Sequence, residues 1–151
     1  MALKVLISLR AVQLLLASLI FGHAIILTLK ANSNHRLRIA GALGTTTGAW
    51  GIIVAFVGFL DLSCFHNDEN IGCILLTLFL DGPASGLFFC SGLYMLHALP
   101  LKDRCHALRE ELEGNGQMLC GMDRAAAVFC LVGCLVTVIL LSKILLKHKA
   151  Y

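Results

Sequence analysis

The chain has 151 residues, 58% of them hydrophobic and only 14% charged, where soluble domains carry roughly 25% charged residues. Its formal charge of +3 is gathered at segment ends, and no Lys/Arg-rich block with interleaved aromatics exists, which sets nucleic-acid binding aside. A soluble helical bundle would need polar residues every third or fourth position on its wet faces, and residues 11–29 and 39–60 offer only Gln13, His23 and small hydroxyls.

A helix rises about 1.5 Å per residue, so about 20 apolar residues cross the hydrocarbon layer. Segments of that size use nearly the whole length. The first is residues 11–29, after Lys4 and Arg10. It has the basic start of a signal peptide but too long a core and no small-x-small cleavage site, so an uncleaved span is expected. A short polar turn over residues 32–38 then predicts an antiparallel neighbour.

The second segment is residues 39–62, with Trp50 near its middle. The third, residues 71–99, contains Asp81-Gly82-Pro83, and Pro83 predicts a bend because it lacks an N–H and crowds the preceding turn. Residues 100–124 form the one sizeable polar region, too short for an independent core, although Leu101, Ala107, Leu108 and Leu112 would make one face of a short interfacial helix. The fourth span is residues 125–146, with a basic tail at Lys147, His148 and Lys149. The expected architecture is all-α: one domain over residues 1–151, an integral membrane four-helix bundle running up-down-up-down, with short loops except between helices 3 and 4.

The positive-inside count leans towards termini outside, since five basic residues flank the termini side and seven the other. The cysteines argue the other way. Cys105 and Cys120 bracket the large loop, and Cys64 and Cys73 bracket the middle turn; the two bridges would need opposite faces to be oxidising. The larger loop gains more from closure, so the Cys105–Cys120 bridge and cytoplasmic termini are the expectation. Cys90, Cys130 and Cys134 fall within spans, where a thiol acts as a small hydrophobe.

Asp81 is the residue that chemistry singles out. Insertion scales make a mid-helix carboxylate about 2.5–3.5 kcal/mol unfavourable, so it must face the interior, remain protonated or bind a partner. His23, in the first span, is the candidate to meet it. A functional reading makes Asp81 and His23 an ion, proton or ligand site; a structural one has the carboxyl cap the half-helix that Pro83 begins. The structural reading is preferred, because transport needs a pathway and one carboxylate does not supply it. The second span carries Gly41, Gly44, Gly48 and Gly51, of which Gly44 and Gly48 have small-xxx-small spacing, and Gly82 and Gly86 repeat that spacing in the third; such faces let helices approach closely within the fold or between copies. No catalytic constellation, cofactor cradle or metal-ligand spacing occurs in the sequence, so no enzyme activity, cofactor or metal is expected.

Several features resemble the MARVEL-domain family in its small fungal form. They are Leu9-Arg10-Ala11-Val12-Gln13 opening the first span, residues 34–39 before the second, and Asp81 followed by small residues and Phe88-Phe89 in the third. Arg104-Cys105 begins the loop, Cys120 ends it, and Arg124-Ala125-Ala126 leads into the fourth span. Together these cover nearly the whole chain. The glycine-rich second span and Gly82-Pro83 after the aspartate depart from that pattern. The resemblance implies four membrane helices, cytoplasmic termini and non-enzymatic work: organising membrane domains or trafficking vesicles at the plasma membrane or in the secretory pathway. Its partners would be membrane lipids and other membrane proteins or further copies of the chain. The competing readings are a small transporter or channel subunit using Asp81 and His23, and an accessory subunit of a larger membrane complex.

Overall fold

A computed structural model describes residues 2–30, 35–64, 71–97, 105–106 and 116–149. Among the described residues there are four long helices: α1 (Ala2–Lys30), α2 (His35–Cys64), α3 (Ile71–His97) and α4 (Gly116–Lys149). Each contains a stretch long and apolar enough to cross a membrane, namely Lys4–Leu29, Arg38–Asp61, Leu75–Leu96 and Arg124–Leu146. The helices overrun their apolar cores because extending a formed helix adds one hydrogen bond per residue ordered, without a new nucleation cost. This corrects two expected boundaries. Helix α1 begins nine residues before position 11, and α4 begins at Gly116, inside the segment expected to be a polar loop. The suggested interfacial helix lies outside the described residues, apart from the helical pair Cys105–His106.

Helix α1 packs against α2 and α4, and α3 packs against the same two, so α1 and α3 stand diagonally across the bundle. Successive glycines along α2 meet residues in descending order along α1: Gly41 meets Thr28, Gly44 meets Ala24, Gly48 meets Phe21, and Gly51 meets Ala17. A Cβ at position 48 would lie 2.7 Å from the Phe21 backbone nitrogen and Cα. Only a residue without a side chain permits so close a seam. At the bundle centre Phe88 is fully buried, its ring cleared by Gly51 of α2 and Gly133 of α4. Gly82 and Gly86 do not serve packing within the fold among the described residues, because none of these lies within 4 Å of where their Cβ atoms would be. They belong to the outer side of α3, beside exposed Phe79 and Phe89.

The distribution of polarity is inverted relative to a water-soluble bundle. Arg10, Gln13, Thr47, Asp81, Ser91 and Thr137 are buried, while Leu15, Leu29, Phe56, Phe79, Leu135 and Leu146 are exposed. Outward-facing hydroxyls turn back onto their own helix: Ser18 donates to the Leu14 carbonyl, Thr46 to Ala42 and Ser142 to Val138, at 2.8, 2.9 and 2.8 Å. Such i−4 bonds leave these hydroxyl protons satisfied without water.

Candidate functional site

The buried polar residues converge on Asp81. Its carboxylate receives a bidentate pair from Arg10: Nη1 donates to Oδ1 at 2.7 Å and Nη2 to Oδ2 at 2.5 Å. Gln13 completes the group. Its Oε1 accepts from Arg10 Nη1 at 2.8 Å, and its Nε2 donates to Thr137 Oγ1 at 3.3 Å, with a longer 3.5 Å contact to Asp81 Oδ1. Thr137 in turn donates its own proton to the Gly133 carbonyl at 2.8 Å. Each polar side chain therefore both fills a gap in the next one's coordination and is oriented by it.

Local geometry explains why these residues meet. Arg10 and Gln13 are three apart in α1, so they share one face of the helix. Helix α2 contributes space instead of a polar group: a Cβ at Gly58 would collide with the Nε, Cζ and Cδ atoms of Arg10. The guanidinium thus lies in a notch cut into α2 while it reaches across the diagonal from α1 to α3. All four helices take part, α1 with two donors, α2 with clearance, α3 with the acceptor and α4 with Thr137. Asp81 is fully buried and Arg10 is 3% exposed. Desolvating two charges is costly, and it is offset only where geometry is good and the remaining hydrogen-bonding capacity is used. A planar fork on a carboxylate is the arrangement that satisfies this best.

Two sequence expectations about Asp81 are corrected here. It does not meet His23: that histidine is buried but stands ten residues beyond Gln13 on α1, about 15 Å along the axis. Nor does it cap a half-helix, because α3 continues through Pro83 and the carboxylate is turned towards Arg10. Pro83 removes the helical donor for the Phe79 carbonyl, and at the neighbouring residue the Leu80 carbonyl accepts from the Trp50 indole N–H at 3.4 Å. A separate polar contact joins α2 to α3 further along, where the hydroxyls of Thr47 and Ser91 lie 2.5 Å apart and are both buried.

Arg10 is the residue that sequence reasoning missed. It sits immediately before the 11–29 stretch and reads as a headgroup-facing flank. One signal was present: residues 5–9, Val-Leu-Ile-Ser-Leu, are themselves apolar, so Arg10 interrupts a hydrophobic run instead of ending one.

Among the described residues, Cys90, Cys130 and Cys134 are free thiols. Of the expected bridge between Cys105 and Cys120, the Cys120 side chain lies outside the described residues, as do both side chains of its alternative between Cys64 and Cys73. Among the described residues no three His, Cys, Asp or Glu side chains converge as metal ligands would. The chain matches no known protein family, curated protein or solved structure.

Proposed function

We propose that the chain is a non-enzymatic multi-pass membrane protein that organises lipid and protein partners in the plasma membrane or in secretory-pathway vesicles. In this reading the four helices run up-down-up-down across the bilayer, with both termini in the cytoplasm and a Cys105–Cys120 bridge on the opposite, oxidising face. The observation that carries it is the closure of Asp81 by Arg10 and Gln13. A carboxylate held by a bidentate arginine inside the bundle supplies cohesion, whereas handing ions or protons across a membrane requires groups that open to a pathway. The outer belt of exposed leucine, isoleucine, valine and phenylalanine suits contact with acyl chains. The resemblance to MARVEL-domain proteins points the same way.

A second reading has one specific observation in its favour. Gly82 and Gly86 leave notches on α3 that none of the described residues fills, as a subunit accommodating another copy or a larger membrane protein would have. Both readings meet one experiment: reconstitution of the purified chain and of Asp81→Asn into sealed vesicles, with size analysis and proton and solute flux. The organising reading expects a homogeneous wild-type particle, no flux from either protein and weakened assembly in Asp81→Asn. Flux by the wild-type chain that Asp81→Asn abolishes would overturn it in favour of a transporter. A monodisperse wild-type monomer would remove the subunit reading.

A further inference from the structure

The end of the bundle where α1 begins and α4 finishes carries lysines that the fold leaves unused. The Gln13–Thr137 hydrogen bond sets the two helices level, and Leu6 and Leu9 of α1 pack on the cluster that includes Val136 and Leu140. Lys4 lies nine residues before Gln13, about 14 Å along α1. Lys143 and Lys147 follow Thr137 by six and ten residues, about 9 and 15 Å along α4. Two neighbouring helices thus bring Lys4 between the levels of Lys143 and Lys147, and α4 runs on to Lys149. Arg10 adds nothing to this group, since its guanidinium is committed to Asp81.

Lys4 and Lys143 are exposed. Among the described residues neither side chain has an ion-pair or hydrogen-bond partner. Asp61, the carboxylate at this end among the described residues, belongs to α2, on the far side of α1 from α4. The surface around the two lysines is apolar: Val5 and Ile7 are exposed after Lys4, and Val138, Ile139, Leu145 and Leu146 are exposed on either side of Lys143. Lysine stems lie along such a surface and carry the charge to its edge. An anion dissolved in water reaches that edge from one side only and has no use for the apolar belt. A phosphate joined to acyl chains uses both. A carboxylate on a partner's helix would itself have to enter hydrocarbon, which is costly.

We propose that the α1–α4 edge at this end holds an anionic phospholipid, its phosphate shared by Lys4 and Lys143 and its acyl chains along Val138 and Ile139. The inference rests on the organising reading given above and names the lipid class that it selects. Each lysine near a bilayer surface favours an anionic lipid by a factor of about five. The two together therefore give about 25-fold.

The test is native mass spectrometry of the detergent-solubilised full chain, titrated with phosphatidylglycerol or with zwitterionic phosphatidylcholine. One phosphatidylglycerol is expected to bind about 25-fold more tightly than phosphatidylcholine. Lys4→Gln and Lys143→Gln should each lose about fivefold of that preference and the double variant all of it, with phosphatidylcholine binding unchanged. Arg38→Gln, at an exposed position on the opposite end of the bundle, should keep the full preference. Equal affinity for the two lipids, a preference that survives the double variant, or an equal loss in Arg38→Gln would overturn the proposal. Displacement of phosphatidylglycerol by glycerol 3-phosphate at matching concentration would also overturn it, because the site would then be one for a soluble anion. Failure of the membrane reading looks different: the chain would stay monodisperse without detergent and bind neither lipid.

Discussion

Along the seam between α1 and α2, Gly41, Gly44, Gly48 and Gly51 bring two helices together through close backbone approach. At the bundle centre, Arg10 and Asp81 join the diagonal helices α1 and α3, and Gln13 and Thr137 join α1 to its neighbour α4. The difference follows from the solvent these helices suit. Among acyl chains, burying a leucine gains little, since lipid tails are as apolar as the side chain itself. What remains is close packing, which needs small residues, and hydrogen bonding, which needs polar ones with no water to compete. The seam uses the first and tolerates no added atoms. The centre uses the second and tolerates no missing partner.

Breaking the centre carries the largest expected effect. Arg10→Leu or Asp81→Leu alone leaves the opposite charge buried, and each is expected to cost about 3–5 kcal/mol. The double replacement, which removes both charges, should cost less than either single one. Denaturant unfolding of the detergent-solubilised protein measures all three, and additive losses would mean that the pair is not coupled in the folded bundle.

Adding a single methyl group to the seam tests the other half of the comparison. In Gly48→Ala the new Cβ would lie 2.7 Å from the Phe21 backbone, so the helices must separate, at an expected cost of about 1–3 kcal/mol. Gly86→Ala makes the same change where none of the described residues lies within 4 Å. There the better helix propensity of alanine leaves stability unchanged or raises it by up to about 1 kcal/mol. Equal losses at both positions in the same unfolding assay would show that helix propensity, and not the α1–α2 approach, governs the response.

The smallest effect is expected at the isolated hydroxyl pair. Thr47→Ala removes one partner of the 2.5 Å contact with Ser91, and interhelical bonds of this type average roughly 0.6 kcal/mol in membrane bundles. A loss comparable to that of Asp81→Leu would mean that polar contacts in this bundle act as one cooperative network, and the contrast between an ion-paired centre and a minor hydroxyl contact would not hold.

Much of the fold was legible in the sequence because hydropathy is additive and local. Four apolar stretches, at residues 11–29, 39–62, 71–99 and 125–146, fall on the four long helices wherever their residues are described, and the burden that Asp81 places on its surroundings follows from its position alone. Glycines spaced three and four apart marked the side of α2 that meets α1 for the same reason, since spacing fixes the face of a helix.

What required the tertiary structure was the pairing of positions that chemistry leaves equivalent. Gly82 and Gly86 have the same spacing as Gly44 and Gly48, yet one pair faces outward and the other meets a helix, a distinction set by how α3 is rotated in the bundle. His23 and Arg10 were both within one helix of Asp81, and depth chose between them. An arginine beside an apolar stretch reads as a headgroup anchor when its neighbours in sequence are all that is considered. It becomes the centre of the bundle through a carboxylate 71 positions away in the chain and a glycine on a third helix. Those distances close only once four helices have taken their places together.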